Sequence, residues 1–104
     1  MRSIITDLAK QQIRQIARYI FSEFGKERRD EFMQEVRRTR RLIEGSPNIG
    51  HVEPLLADRP LMYRSFVMNR LDKIVYRIDG DIIYFVALWD VRRDPVTLAN
   101  EVRG

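Results

Sequence analysis

Apolar residues recur at Ile13, Ile16, Ala17, Ile20 and Phe24, a spacing of i, i+3, i+4, i+7 and i+11. That repeat is one face of a 3.6-residue period, so it predicts a helix over residues 6–24. Thr6 or Asp7 can cap its start, and Gly25 can take the left-handed backbone that ends it. The same period returns over residues 26–44, with Phe32, Val36, Thr39 and Ile43 inward, and Gly45-Ser46-Pro47 stops it. Only a tight turn separates the two helices, so they are expected to form an antiparallel hairpin.

Residues 48–60 follow neither period and read as a loop. Three strand candidates come next. Residues 61–68 (LMYRSFVM) alternate weakly, 73–78 (KIVYRI) are rich in β-branched and aromatic side chains, and 81–89 (DIIYFVALW) are apolar almost throughout. A strand without a polar face is expected to be central and covered on both sides. Asp79-Gly80 lies where a tight hairpin turn needs a positive φ, and Asn69-Arg70 is expected to turn the preceding pair in the same way. RSIIT before the helices adds a short strand. VTLANEV after Pro95 adds a short helix, with the proline tolerated in its first turn. The predicted fold is α+β: a short strand, a helical hairpin on one face of the sheet, a three-stranded antiparallel meander and a small C-terminal helix. At 104 residues, one domain over 1–104 is expected.

Composition narrows the chemistry. The chain is 44% hydrophobic and 33% charged, as in ordinary soluble domains. No apolar run approaches the ~18 residues of a membrane span, and MRSIITDLAK lacks a signal-peptide core. A cytoplasmic location and no membrane partner are expected. The absence of cysteine excludes redox and thiolate-metal chemistry. The single histidine, His51, has no neighbouring ligand residues, so neither a metal nor another cofactor is expected, and no nucleophile elbow or glycine-rich phosphate loop occurs.

The net charge of +4 favours anionic partners, and 16 of the 19 basic residues are arginine. Arginine offers a planar fork to phosphates and carboxylates, although a GC-rich coding sequence produces the same bias. Two clusters stand out. In VRRTRRLIE, Arg37, Arg38 and Arg41 are expected to face solvent and Arg40 to flank the core. Glu27, Asp30, Glu31, Glu35 and Glu44 on the same helix would lace that face with ion pairs. In YFVALWDVRRDP the central strand ends in Trp89, Asp90, Arg92 and Arg93. Antiparallel pairing would bring Lys73 beside them, and Arg64 too if it shares their face. With Tyr63, Tyr76 and Trp89 near, such an edge would hold phosphates and stack bases. The plainer alternative is that Arg92 pairs with Asp90 or Asp94 only to end the strand.

Several short signatures, taken in order, resemble the RelE/ParE family of type II toxin–antitoxin toxins. They are TDLAKQQIRQIARYIFSEFG, then SPNIG after the second helix, YRSFV, and DKIVYRIDGDIIYFVALWDVRRDP with its arginine-rich strand end. The likeness covers residues 4–98. It implies a growth-inhibiting toxin neutralised in a hetero-oligomer by a cognate antitoxin, an acidic or amphipathic segment that folds on binding. Exposed sheet edges would allow strand addition by such a partner, or dimers. RelE-like members resemble ribosome-dependent mRNA endoribonucleases, whereas ParE-like members inhibit DNA gyrase. Lys73 falls at a strand arginine of the RelE pattern, and Arg92 or Arg93 at its second arginine. The pattern's lysines have no match in HVEPLLADRPLMY, its C-terminal tyrosine is Leu98, and Asp90 stands where nuclease relatives carry a histidine. These departures place the chain closer to ParE. The resemblance thus implies a gyrase-binding toxin whose target or antitoxin surface includes Arg37, Arg38, Arg41, Arg64, Trp89, Asp90, Arg92 and Arg93. The alternatives are an mRNA interferase using Lys73, Arg92 and Arg93, and a non-toxic nucleic-acid-binding module.

Overall fold

A computed structural model describes residues 1–103. Helices α1 (Asp7–Phe24) and α2 (Lys26–Gly45) form the expected hairpin. Thr6 caps α1: its Oγ1 accepts a hydrogen bond from the Ala9 N–H at 3.3 Å and donates to the Val86 carbonyl at 3.3 Å. One side chain thus starts the helix and ties it to the sheet. Gly25 joins the helices at φ 92° and ψ −179°. The positive φ is as expected, but the extended ψ lies outside the left-handed helical well and is accessible essentially to glycine alone.

The sheet has five strands, β1 (Arg2–Ile5), β2 (His51–Val52), β3 (Arg64–Val67), β4 (Asp72–Asp79) and β5 (Ile82–Asp90), in the order β1-β5-β4-β3-β2. β1 runs parallel to β5, and the other pairings are antiparallel. The stretch 48–60, expected to be a loop, contributes β2 and a 3-10 turn at Pro54–Leu56. A two-residue strand is too short to show a period. The β3–β4 turn also departs from expectation, because among the described residues none other than glycine has a positive φ. Instead, Asn69 Oδ1 accepts from the Leu71 and Asp72 N–H groups at 2.8 and 2.9 Å, so a side chain supplies what a left-handed residue would have done.

β5 is an interior strand, between β1 and β4, and is covered on both faces, as its apolar sequence requires. Ile83, Phe85 and Leu88 pack with Ile74 and Tyr76 against Ile13, Ala17, Phe32, Val36 and Ile43 of the hairpin. On the other face Ala87 and Trp89 pack with Val75, Tyr63, Leu56 and Leu98, the last from α3 (Pro95–Glu101). The pairing skips a residue between Val75↔Ala87 and Tyr76↔Phe85, leaving Val86 as a bulge. This bulge shifts the alternation of everything after it. Trp89 therefore points into the second core, and Asp90 comes out on the hairpin side. No helix among the described residues is long and apolar enough to cross a membrane.

The 47–50 segment is held by buried Tyr76, whose Oη donates to the Pro47 carbonyl at 2.7 Å and accepts from the Gly50 N–H at 2.9 Å. A Cβ on Gly50 would sit 2.7 Å from both the Ser65 carbonyl oxygen and the Tyr76 Oη. Because backbone must move to admit it, Gly50→Ala is expected to cost about 1–3 kcal/mol. Urea denaturation checks this, and an unchanged midpoint would show that the segment is loosely held.

Candidate functional site

The bulge decides what lies at the end of β5. Past it, Asp90 faces the helical hairpin and the chain turns at once, so Arg92 folds back onto it. Arg92 Nε and Nη2 donate to Asp90 Oδ1 and Oδ2 at 3.0 and 2.7 Å, and the Arg92 N–H donates to Oδ1 at 2.9 Å. These bonds hold the Asp90 carboxyl below the usual carboxylate range, outweighing the opposite effect of its slight burial. The guanidinium nevertheless remains largely exposed, with its charge and outer edge open to a partner. Asp72, register partner of Asp90 on β4, is raised above the usual range, first by burial and then by the nearby Asp90 and Glu35 charges. Like charges across a strand pair repel, and Arg92 offsets that repulsion.

Arg93 is held differently. Its Nη2 donates to Glu101 Oε1 at 2.5 Å, and Glu101 Oε2 accepts from Gln12 Nε2 at 2.7 Å. Gln12 Oε1 in turn accepts the Leu88 N–H at 2.8 Å, on the β5 edge that β1 is too short to cover. A chain of polar contacts therefore runs from an exposed arginine through α3 and α1 into the sheet. Asp94, the other partner offered for Arg92, instead caps α3 by accepting from the Thr97 N–H and Oγ1 at 3.1 and 2.8 Å.

Both arginines stand at the rim of a groove of about 1280 Å³ between the hairpin and the ends of β4 and β5. Ile16, Tyr19, Ile20 and Phe24 line its α1 wall, and Leu71 lies on the β3–β4 turn. Tyr19, Phe24 and Leu71 are exposed. Glu35 and Arg38 come from α2, while Asn69 Nδ2 spans the groove end by donating to Glu35 Oε1 at 2.6 Å. An apolar trough with charges of both signs along its rim suits an amphipathic polypeptide better than a small polar substrate.

A family model described as the ParE toxin of the type II toxin–antitoxin system parDE matches residues 4–95. The chain belongs to the ParE toxin family. Among solved structures it is similar to a chain described as a chromosomal ParDE toxin–antitoxin system from P. aeruginosa, with a TM-score of 0.71 and 18% identity, covering 86% of this chain and 95% of that one. At that identity the likeness bears on the fold, which is the one described above. No curated protein sequence matches the chain.

Within this ParE-family fold, several residues expected at the binding edge lie elsewhere. Lys73 does not join Arg92 and Arg93. It is opposite Trp89, on the face covered by α3, and its Nζ contacts the Glu53 carboxylate, whose side chain is 0% exposed. The ammonium also lies 5.4 Å from the centre of the Trp89 ring. Trp89, Tyr76 and Tyr63 are buried and present no ring to a base. Arg64 donates to the Gly50 carbonyl at 2.8 Å, at the far end of β3. The expectation failed because β5 is apolar on both faces, so the sequence did not show which phase puts Trp89 inward. Glu53, Glu101 and Gln12 were missed entirely, since lone polar residues in a loop and in amphipathic helices carry no periodic signal.

On α2 the expected lacing with ion pairs is only partial. Lys26, Arg28 and Arg29 pair with Asp30 or Glu31 in its first half, and Arg40 contacts Glu44 and Ser3. Glu35 is taken by Asn69. Arg37, Arg38 and Arg41 form no ion pair among the described residues.

Proposed function

We propose that this chain is a cytoplasmic toxin that inhibits DNA gyrase by binding and is neutralised by a cognate antitoxin whose amphipathic segment occupies the groove. Membership of the ParE family supports the toxin role. The observation that carries binding over catalysis is the position of Lys73. Its charge is matched by Glu53 beneath the β3–β4 edge, away from Arg92 and Arg93, so the three cations do not converge on one phosphate. Arg92 and Arg93 remain together at the groove rim, anchored by Asp90 and Glu101, and they form the surface offered to gyrase. A segment lying in the groove would cover that rim, which makes neutralisation a matter of occlusion.

The test is plasmid supercoiling by purified gyrase, with the toxin released from its co-expressed complex. Supercoiling should fail as toxin is added and recover on addition of the antitoxin. Unimpaired supercoiling together with mRNA cut on ribosomes would overturn the reading in favour of an mRNA interferase.

A further inference from the structure

Arg37, Arg38 and Arg41 lie with Gln34 at i, i+3, i+4 and i+7 on α2, a single stripe facing away from the core. They line a shallow depression of about 320 Å³ with no apolar side chain in it. The arrangement works against the helix. Arg37 and Arg41 are four residues apart, Arg38 and Arg41 three, and like charges at those spacings repel. No carboxylate among the described residues forms an ion pair with them: Asp30 and Glu31 pair with Lys26, Arg28 and Arg29, Glu35 is bound to Asn69, and Glu44 to Arg40 and Ser3. A cationic stripe held at a cost to its own helix points to a polyanionic partner.

The kind of polyanion follows from what surrounds the stripe. Protein partners need apolar anchors in a desolvated centre, and the depression is lined by none, although Leu42 is exposed one turn from Arg38. Single-stranded nucleic acid is gripped by aromatic rings beside the cations. Here the exposed aromatics Tyr19 and Phe24 line the groove that Arg38 borders, and none lines the depression shared by Arg37, Arg38 and Arg41. Arginines around a depression with no apolar or aromatic lining are what a duplex backbone requires, since phosphate contacts carry its sequence-independent affinity. We propose that the α2 stripe binds the phosphates of duplex DNA, on a surface that adjoins the groove at Arg38 and leaves it at Arg37 and Arg41. The choice of DNA over duplex RNA rests on the gyrase reading above, because DNA is the polymer that gyrase holds. Bound toxin would then contact enzyme and DNA at once.

Fluorescence anisotropy of a labelled duplex DNA against the purified chain, over a range of salt, tests this. Each phosphate neutralised contributes a slope of about 0.9 in log K against log salt, so the three arginines together contribute about 2.7. A fourfold rise in salt should therefore weaken binding by the native chain about 40-fold more than binding by the Arg37→Ala/Arg38→Ala/Arg41→Ala variant. The triple lysine variant should retain most of the slope, and circular dichroism of all three proteins confirms that they are folded. An unchanged slope in the alanine variant would overturn the proposal. So would equal or tighter binding of single-stranded DNA, duplex RNA or polyglutamate. Supercoiling assays on Arg92→Ala, which retains the stripe, score the gyrase reading separately, so either idea can fail alone.

Discussion

Lys73→Ala is expected to destabilise the protein by about 3–5 kcal/mol, because it leaves a buried carboxylate without its cation. Glu53 is fully enclosed, and without Lys73 only neutral donors remain to its carboxylate. Its Oε2 accepts the Leu55 N–H at 2.9 Å, at the start of the 3-10 turn. Burial by itself pushes the Glu53 carboxyl up, but the Lys73 ammonium and the Leu55 N–H outweigh it and leave the group below the ordinary glutamate range. The sign of the pH dependence follows. In the native protein the stabilisation from Glu53 is complete above the ordinary glutamate value and is lost as pH falls through the lowered folded value. With Lys73 replaced by alanine the dominant influence is burial, the folded value rises, and Glu53 instead favours the folded state more as pH falls. Urea denaturation of both proteins at neutral and mildly acidic pH measures this inversion. A Lys73→Met/Glu53→Leu variant should regain most of the lost stability, because paired apolar replacements avoid the unpaired charge. A stable Lys73→Ala protein with unaltered pH dependence, but without RNA cleavage, would instead make Lys73 catalytic.

Replacing both rim arginines, Arg92→Ala/Arg93→Ala, should raise the toxin concentration needed for half-inhibition of gyrase by about 30-fold or more, the scale of an arginine hot-spot pair. The thermal midpoint should move little, since exposed ion pairs contribute little to stability. Arg92→Lys is expected to fall between, because it retains the charge but loses the fork that Asp90 holds in two bonds. Asp90→Asn tests the positioning directly. It leaves the arginine in place but removes the charge that orients it, so inhibition should weaken less than in the double variant. Full inhibition by the double variant would remove the β5 rim from the gyrase surface and leave the groove as an antitoxin site only.

Much of the fold was legible in advance because it rests on local patterns. The two helices, the strands after them, the Gly80 turn at φ 60° and the proline at the start of α3 each follow from a period or a backbone preference within a few residues. The arginine-rich end of β5 was legible as a candidate surface for the same reason, since charges abruptly following an apolar run need an explanation. Its membership was less legible. Glu101 reaches Arg93 from eight residues away, Gln12 reaches the β5 backbone from 76 away, and Glu53 meets Lys73 from a segment with no recognisable pattern. Pairings of that kind belong to the packing of elements and leave no trace in any one of them.

By itself, the sequence determined the order of the helices and the longer strands, the α+β class, the hairpin packed on one sheet face and an interior β5 covered on both, because amphipathic periods dictate which surfaces must be buried. Only the tertiary structure decided the phase of β5. The bulge at Val86 turns Trp89 inward and Asp90 outward, and so divides the cations that the sequence had grouped: Lys73 stays on the core side, while Arg92 and Arg93 stand at the groove. An all-apolar strand satisfies the hydrophobic effect in either phase. The choice fell to packing, where Trp89 fills the space beneath α3 and Asp90 meets the arginine that folds back upon it.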